Sequence, residues 1–150
     1  MSLLQEHTTR SEDIPHRAAT IADANDPATW RSFSCTTESV LCAADEIIVL
    51  RVEGDVDLCT LPILQAALGE GLDRYPAHLI VDLARMTYCS ARGFDLLTQT
   101  RHITADTATS YAVSGVPPQI DRIWTLVWDG DLPIRHRSTA AAMTAIQAAE

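Results

Sequence analysis

The side chains of this chain that could do chemistry are four cysteines, five histidines and a few aspartates on strand-like segments. Cys35, Cys42, Cys59 and Cys89 lack C-x-x-C spacing, so they offer neither a zinc-ligand pair nor a dithiol redox motif. In a reducing compartment they read as free thiols that pack as small hydrophobes. His7, His16, His78, His102 and His136 show no H-x-x-x-H spacing, and none completes a Ser-His-Asp set. Asp55 and Asp57 alternate onto the wet side of a strand while Asp82 lies inside an apolar run, so the three do not suggest a shared metal site. Neither GxGxxG nor GxxxxGK[ST] occurs, which argues against a nucleotide-dependent enzyme. The expectation is a non-enzymatic protein with no cofactor and no metal.

The periodicity around these residues places them on alternating strands and helices. Ile47 to Asp57 sets Leu50, Val52 and Val56 against Arg51, Glu53, Asp55 and Asp57, a strand with one wet face. Phe33 to Leu41 supplies a pairing strand, joined near Ala43-Ala44-Asp45. Thr60 and Pro62 then open a helix with Leu61, Leu64, Leu68 and Leu72 on one side, closed by Tyr75-Pro76. His78 to Leu83 reads as a central strand, and a helix starts at Ala91 with Phe94, Leu97 and Ile103 turned inward. A short strand at Ser110 to Val113 follows, then a helix from Pro117-Pro118 that buries Ile120, Ile123, Trp124 and Val127. Leu132 to Arg135 forms a last short strand, and Ser138 caps a closing helix through Met143 and Ile146. Such alternation predicts an α/β fold, a mixed sheet of four or five strands with helices mainly on one face.

Composition limits the partners. The 20 acidic residues outnumber 11 cations, all of them Arg, for a net charge of -9. Phosphate backbones and anionic lipid repel such a chain, so neither nucleic acid nor a membrane surface is an expected partner. No run approaches the roughly 20 apolar residues of a spanning helix, and the first residues lack a signal-peptide pattern, so a cytoplasmic location is expected. Residues 1–30, interrupted by Pro15 and Pro27, read as a flexible N-terminal extension before one domain at 31–150.

Three segments, in this order, resemble STAS-domain anti-anti-sigma factors (anti-sigma factor antagonists). Gly54-Asp55-Val56-Asp57-Leu58-Cys59-Thr60-Leu61-Pro62 is similar to the family's G-E-L-D stretch and Pro-containing helix start. Val81-Asp82-Leu83-Ala84-Arg85-Met86-Thr87-Tyr88-Cys89-Ser90-Ala91-Arg92-Gly93-Phe94 resembles its D-L-S-x-V-x-F-M-D-S-S-G-L. Val113 to Trp124 resembles its late strand-to-helix passage. The resemblance implies a protein-interaction module that binds an anti-sigma factor, a GHKL-type serine kinase, and so frees a sigma factor. It also leaves room for a STAS subunit of a transport or stressosome-like assembly, for a small-ligand or nucleotide-binding sensor, and for a homodimer.

In the family the serine before the glycine is phosphorylated by the partner. Carried over, the family's Asp falls on Ser90, its first Ser on Ala91 and its phosphoacceptor on Arg92, and only Gly93 matches. Ser serves as a helix N-cap as Asp does, so the helix start is expected to survive while the usual phosphorylation is lost. Arg92 reads either as a solvated residue in a decayed site or as a contact to an acidic partner groove, with Asp95, Asp55 or Asp57 near enough to offset a cation in the first turn. Ser90 is a substitute phosphosite only if its hydroxyl is released from capping. The implied docking residues are Asp57, Leu58, Thr60, Leu61, Ser90, Ala91, Arg92, Gly93 and Asp95, and the family's loop placement makes Cys59 and Cys89 a candidate redox pair.

Overall fold

Ala43 and Ala44 turn the chain between two strands whose apolar residues must share one core. The computed structural model, which describes residues 10–11, 16–17 and 33–149, pairs β3 (Ser34–Cys42) antiparallel with β4 (Asp45–Val56), Cys42 opposite Asp45. Ala43 occupies the left-handed region at φ 58°, as a two-residue hairpin requires. Apart from the short strands β1 (Arg10–Ser11) and β2 (His16–Arg17), which pair with the outer edge of β3, the extension expected over 1–30 lies outside the described residues.

From β4 onward the chain repeats strand, helix, parallel strand. Helix α1 (Leu61–Leu72) leads to β5 (His78–Cys89), α2 (Ala91–Ala105) to β6 (Ser110–Ser114), and α3 (Pro118–Val127) to β7 (Ile134–His136). The strands β4, β5, β6 and β7 lie side by side and parallel in that order, and β3 joins antiparallel to make the sheet mixed. Two strand boundaries differ clearly from the sequence reading. Strand β5 continues past Leu83 to Cys89, because β4 offers backbone partners as far as Val56 across two register shifts. The last strand begins at Ile134 rather than Leu132, and Leu132 packs on the core from the preceding loop.

Helices α1, α2 and α3 cover one face. Leu64, Ala67 and Leu68 of α1, Phe94 and Leu97 of α2, and Ile120 and Trp124 of α3 close over Leu50, Val52, Leu79, Val81 and Leu83. Phe94 stacks on Trp124 with ring centroids 5.2 Å apart, and the buried Trp124 Nε1 donates to Thr98 Oγ1 at 3.3 Å. Ile103, expected inside, is exposed: it lies half a turn round the helix from Phe94, and Thr104 takes the inner position. Ile123 and Val127 are also exposed, because α3 lies over the short outer strands β6 and β7 and only Ile120 and Trp124 reach the core. The final helix, α4 (Thr139–Ala148), crosses to the opposite face and packs Ala142, Met143 and Ile146 on Ile47, Val49 and Ile80. The rest of that face carries Glu38, Arg51 and Asp82, linked by ion pairs, which explains the polar side of β4.

Candidate functional site

The sequence-selected residues meet at the carboxyl ends of β4 and β5, where α1 and α2 begin. The two loops are tied directly, since the Ser90 amide donates to the Val56 carbonyl at 2.9 Å. Each half then has its own local lock.

In the first loop Asp57 Oδ1 accepts the backbone N–H groups of Cys59 at 2.9 Å and Thr60 at 3.1 Å. Thr60 is buried, and its hydroxyl accepts the Asp57 amide and donates to the Asp55 carbonyl at 2.7 Å. It therefore anchors the loop to β4 rather than capping α1. Leu61 is half-buried on the core. These four contacts leave Leu58, 69% exposed, and the exposed Cys59 at the tip.

In the second loop Ser90 is the N-cap of α2: extended at ψ 168°, it accepts the Gly93 amide on its hydroxyl at 3.1 Å. Gly93 is buried where the helix meets the sheet. A Cβ there would come within 2.7 Å of Cys89 Sγ and 2.8 Å of Val56 Cγ1, so only glycine fits without displacement. Ala91, Arg92 and Asp95 face solvent. None of Asp95, Asp55 and Asp57 makes a salt bridge with Arg92, and among the described residues this guanidinium has no ion pair at all. Tyr88, 52% exposed at the end of β5, belongs to the same edge and carried no sequence signal beyond its neighbourhood.

The two cysteines of this edge occupy different environments. All four cysteines are free; Cys59 is exposed, whereas Cys89 is buried and desolvation pushes its thiol up to about 12. Among the described residues, no group of three or more His, Cys, Asp and Glu side chains could hold a metal ion, and no helix is long and apolar enough to cross a membrane.

A parallel β4-α1-β5-α2-β6 core and a glycine-tight helix start after β5 are the features by which relatives can be compared. Residues 40–127, more than half of the chain, match the family described as STAS domain. The chain belongs to the STAS domain family. Among solved structures, this STAS domain is similar to an anti-sigma factor antagonist from Mycobacterium paratuberculosis, with a TM-score of 0.62 and 24% identity over 76% of this chain and 95% of that one. It is also similar to the anti-sigma factor antagonist SpoIIAA in its unphosphorylated form, with a TM-score of 0.50 and 16% identity over 67% of this chain and 89% of that one. At these identities the likeness is one of fold. No curated protein matches this chain in sequence.

Proposed function

We propose that this STAS domain is an anti-sigma factor antagonist that docks on an anti-sigma factor of the GHKL serine-kinase type and so releases a sigma factor. Its docking edge is built from the α1 and α2 starts, and it is not switched by phosphorylation at the usual serine. One observation carries the reading: the loop has the Ser90 cap and the glycine-only position at Gly93, while Arg92, at the position of the family's phosphoacceptor, has no ion pair among the described residues.

The chemistry follows from that arrangement. Asp57 and Thr60 act from within, shaping the first loop, and Ser90 and Gly93 shape the second. Leu58, Ala91, Arg92 and Asp95 are left to meet the partner. A guanidinium without a counter-ion among the described residues suits an acidic groove, and exposed Leu58 supplies apolar area on the same edge. Ser90 is a poor phosphoacceptor while its oxygen holds the Gly93 amide.

The test incubates the protein with candidate anti-sigma kinases and ATP, reading complex formation and phosphate transfer together. Binding without transfer is expected. Arg92→Glu should weaken binding by at least about tenfold, as loss of a charge-assisted contact does, whereas Arg122→Glu on the exposed side of α3 should not. Equal binding by both variants would place the docking surface elsewhere, and phosphate on Ser90 would overturn the loss of switching.

A further inference from the structure

Helix α3 carries more apolar surface than the sheet takes up. Of its five large apolar residues only Ile120 and Trp124 are buried, while Ile123 is 50%, Leu126 77% and Val127 59% exposed. The neighbours of α3 show which way these three are turned. Asp121 pairs with Arg135, and Thr125 Oγ1 lies 3.4 Å from the same guanidinium, so the row through Asp121 and Thr125 is turned to β7. Trp124 reaches Thr98 of α2. By helical spacing Ile123 and Val127 then form the row on the α2 side, and Leu126 stands outward between that row and Arg122.

Residues at i, i+3 and i+4 make one continuous stripe, and a stripe of this kind left in water marks a contact surface rather than a scatter of single apolar side chains. Its ends are charged. Arg122 lies one turn before Leu126, and Asp129 follows it by three residues, just past the helix end. Both are exposed, and among the described residues neither has an ion pair. On the α2 side the stripe is bordered by the exposed Asp95 and His102, which flank Thr98 at helical spacing.

A cation at one end of an apolar stripe and an anion at the other select its occupant. A uniformly basic helix would set a cation against Arg122, and a uniformly acidic one would set an anion against Asp129. A second α3 running antiparallel satisfies both. A two-fold axis beside Leu126 brings Arg122 of each copy to Asp129 of the other, and Ile123 to Val127. The rows Gln119-Ile123-Val127 and Arg122-Leu126 are spaced four residues apart, the ridges that interdigitate in the commonest class of helix pair.

We propose that this STAS domain self-associates through the outer face of α3, as a two-fold pair with the helices antiparallel. The proposal does not depend on the docking edge at the α1 and α2 starts. One helix from each copy makes an interface smaller than the roughly 1,200 Å² at which standard-size complexes begin, so the dissociation constant lies above about 1 µM. At roughly 0.15 M salt the Debye length is about 8 Å, which screens the net charge of -9 on each copy and leaves the contact pairs in force.

Sedimentation equilibrium at that salt, over about 1 µM to 1 mM protein, tests it, and a reversible monomer–dimer equilibrium is expected. Leu126→Asp should weaken the dimer by at least about tenfold, and since Leu126 is exposed its circular dichroism should match the parent. Arg122→Asp and Asp129→Arg each set like charges against one another and should also weaken it, whereas the double variant exchanges the signs and should regain the parent's association. Ile103→Asp changes an exposed apolar residue on the flank of α2 turned away from Thr98 and should leave the dimer unchanged. A protein that stays monomeric to about 1 mM would overturn the proposal. So would undiminished association in Leu126→Asp, equal loss in Ile103→Asp, or a double variant no better than the single ones.

Discussion

The Ser90 hydroxyl accepts the Gly93 amide at 3.1 Å, so the start of α2 is held by the side chain of its N-cap residue. Cap oxygens of Ser and Asp perform the same task, and their loss to alanine costs about 1 kcal/mol. Ser90→Ala is therefore expected to lower unfolding stability by that amount, and Ser90→Asp to preserve it. Urea denaturation followed by circular dichroism compares the three proteins.

Gly93 tests the packing beneath that cap. The added methyl of Gly93→Ala meets Cys89 Sγ and Val56 Cγ1 at distances no relaxed Cβ adopts, and overpacking of this kind costs about 1–3 kcal/mol. Cys89→Ala removes one of the two obstacles. The double variant is expected to be more stable than the sum of the single effects allows, which a double-mutant cycle in urea measures directly.

These local features were legible because they rest on short-range chemistry. The Ser90 and Ser138 caps, the Pro62 helix start and the Ala43-Ala44 turn each follow from a few adjacent residues, and the structure has all four. The strand from Ala84 to Cys89 was not, since Ala84, Arg85, Thr87 and Tyr88 show no apolar run and owe their extended form to the β4 backbone. The role of Asp57 was only half legible. Its acid type and place before a helix were evident, but its use as an internal brace for Cys59 and Thr60 depends on the turn's three-dimensional shape. The packing of α4 on Ile47, Val49 and Ile80, opposite the other helices, is a choice that local periodicity does not encode.

The thiols should separate cleanly by burial. Cys59 is exposed, whereas desolvation pushes Cys35 and Cys89 up to about 12. Because only the thiolate reacts, alkylation of the native protein near neutral pH is expected to label Cys59 well before Cys35 or Cys89, as peptide mass mapping would show. Mild oxidation of native protein then tests a Cys59–Cys89 link: the buried thiol must first be released, so crosslinking is expected only under conditions that loosen the α2 start, such as the Ser90→Ala background.

The same buried groups set an alkaline limit. Unfolded thiols ionise near 9.0 while Cys35 and Cys89 hold their protons to about 12, and burial likewise raises the Tyr111 hydroxyl, with its hydrogen bond to Thr100 acting in the opposite direction. Each folded pKa is raised, so the contribution of each thiol is fully present below pH 9 and is lost as pH climbs from there toward 12, and that of Tyr111 is lost only above pH 10. Each thiol is expected to forfeit roughly 1 kcal/mol by about pH 10. Urea midpoints across that window measure the slope, and Cys35→Ala with Cys89→Ala should reduce it.

Arg92 gives the sharpest separation between a decayed surface residue and a docking residue. A cation in the first turn of α2 opposes the helix dipole, and no acid among the described residues forms an ion pair with it. Arg92→Gln is therefore expected to leave the isolated protein as stable or to stabilise it by about 0.3–1 kcal/mol, while weakening the complex with an anti-sigma factor. The two measurements move in opposite directions only if the guanidinium is retained for a partner. Denaturation of the free protein and calorimetric titration of the complex give both signs, and unchanged affinity in the variant would mark Arg92 as the remnant of a site no longer used.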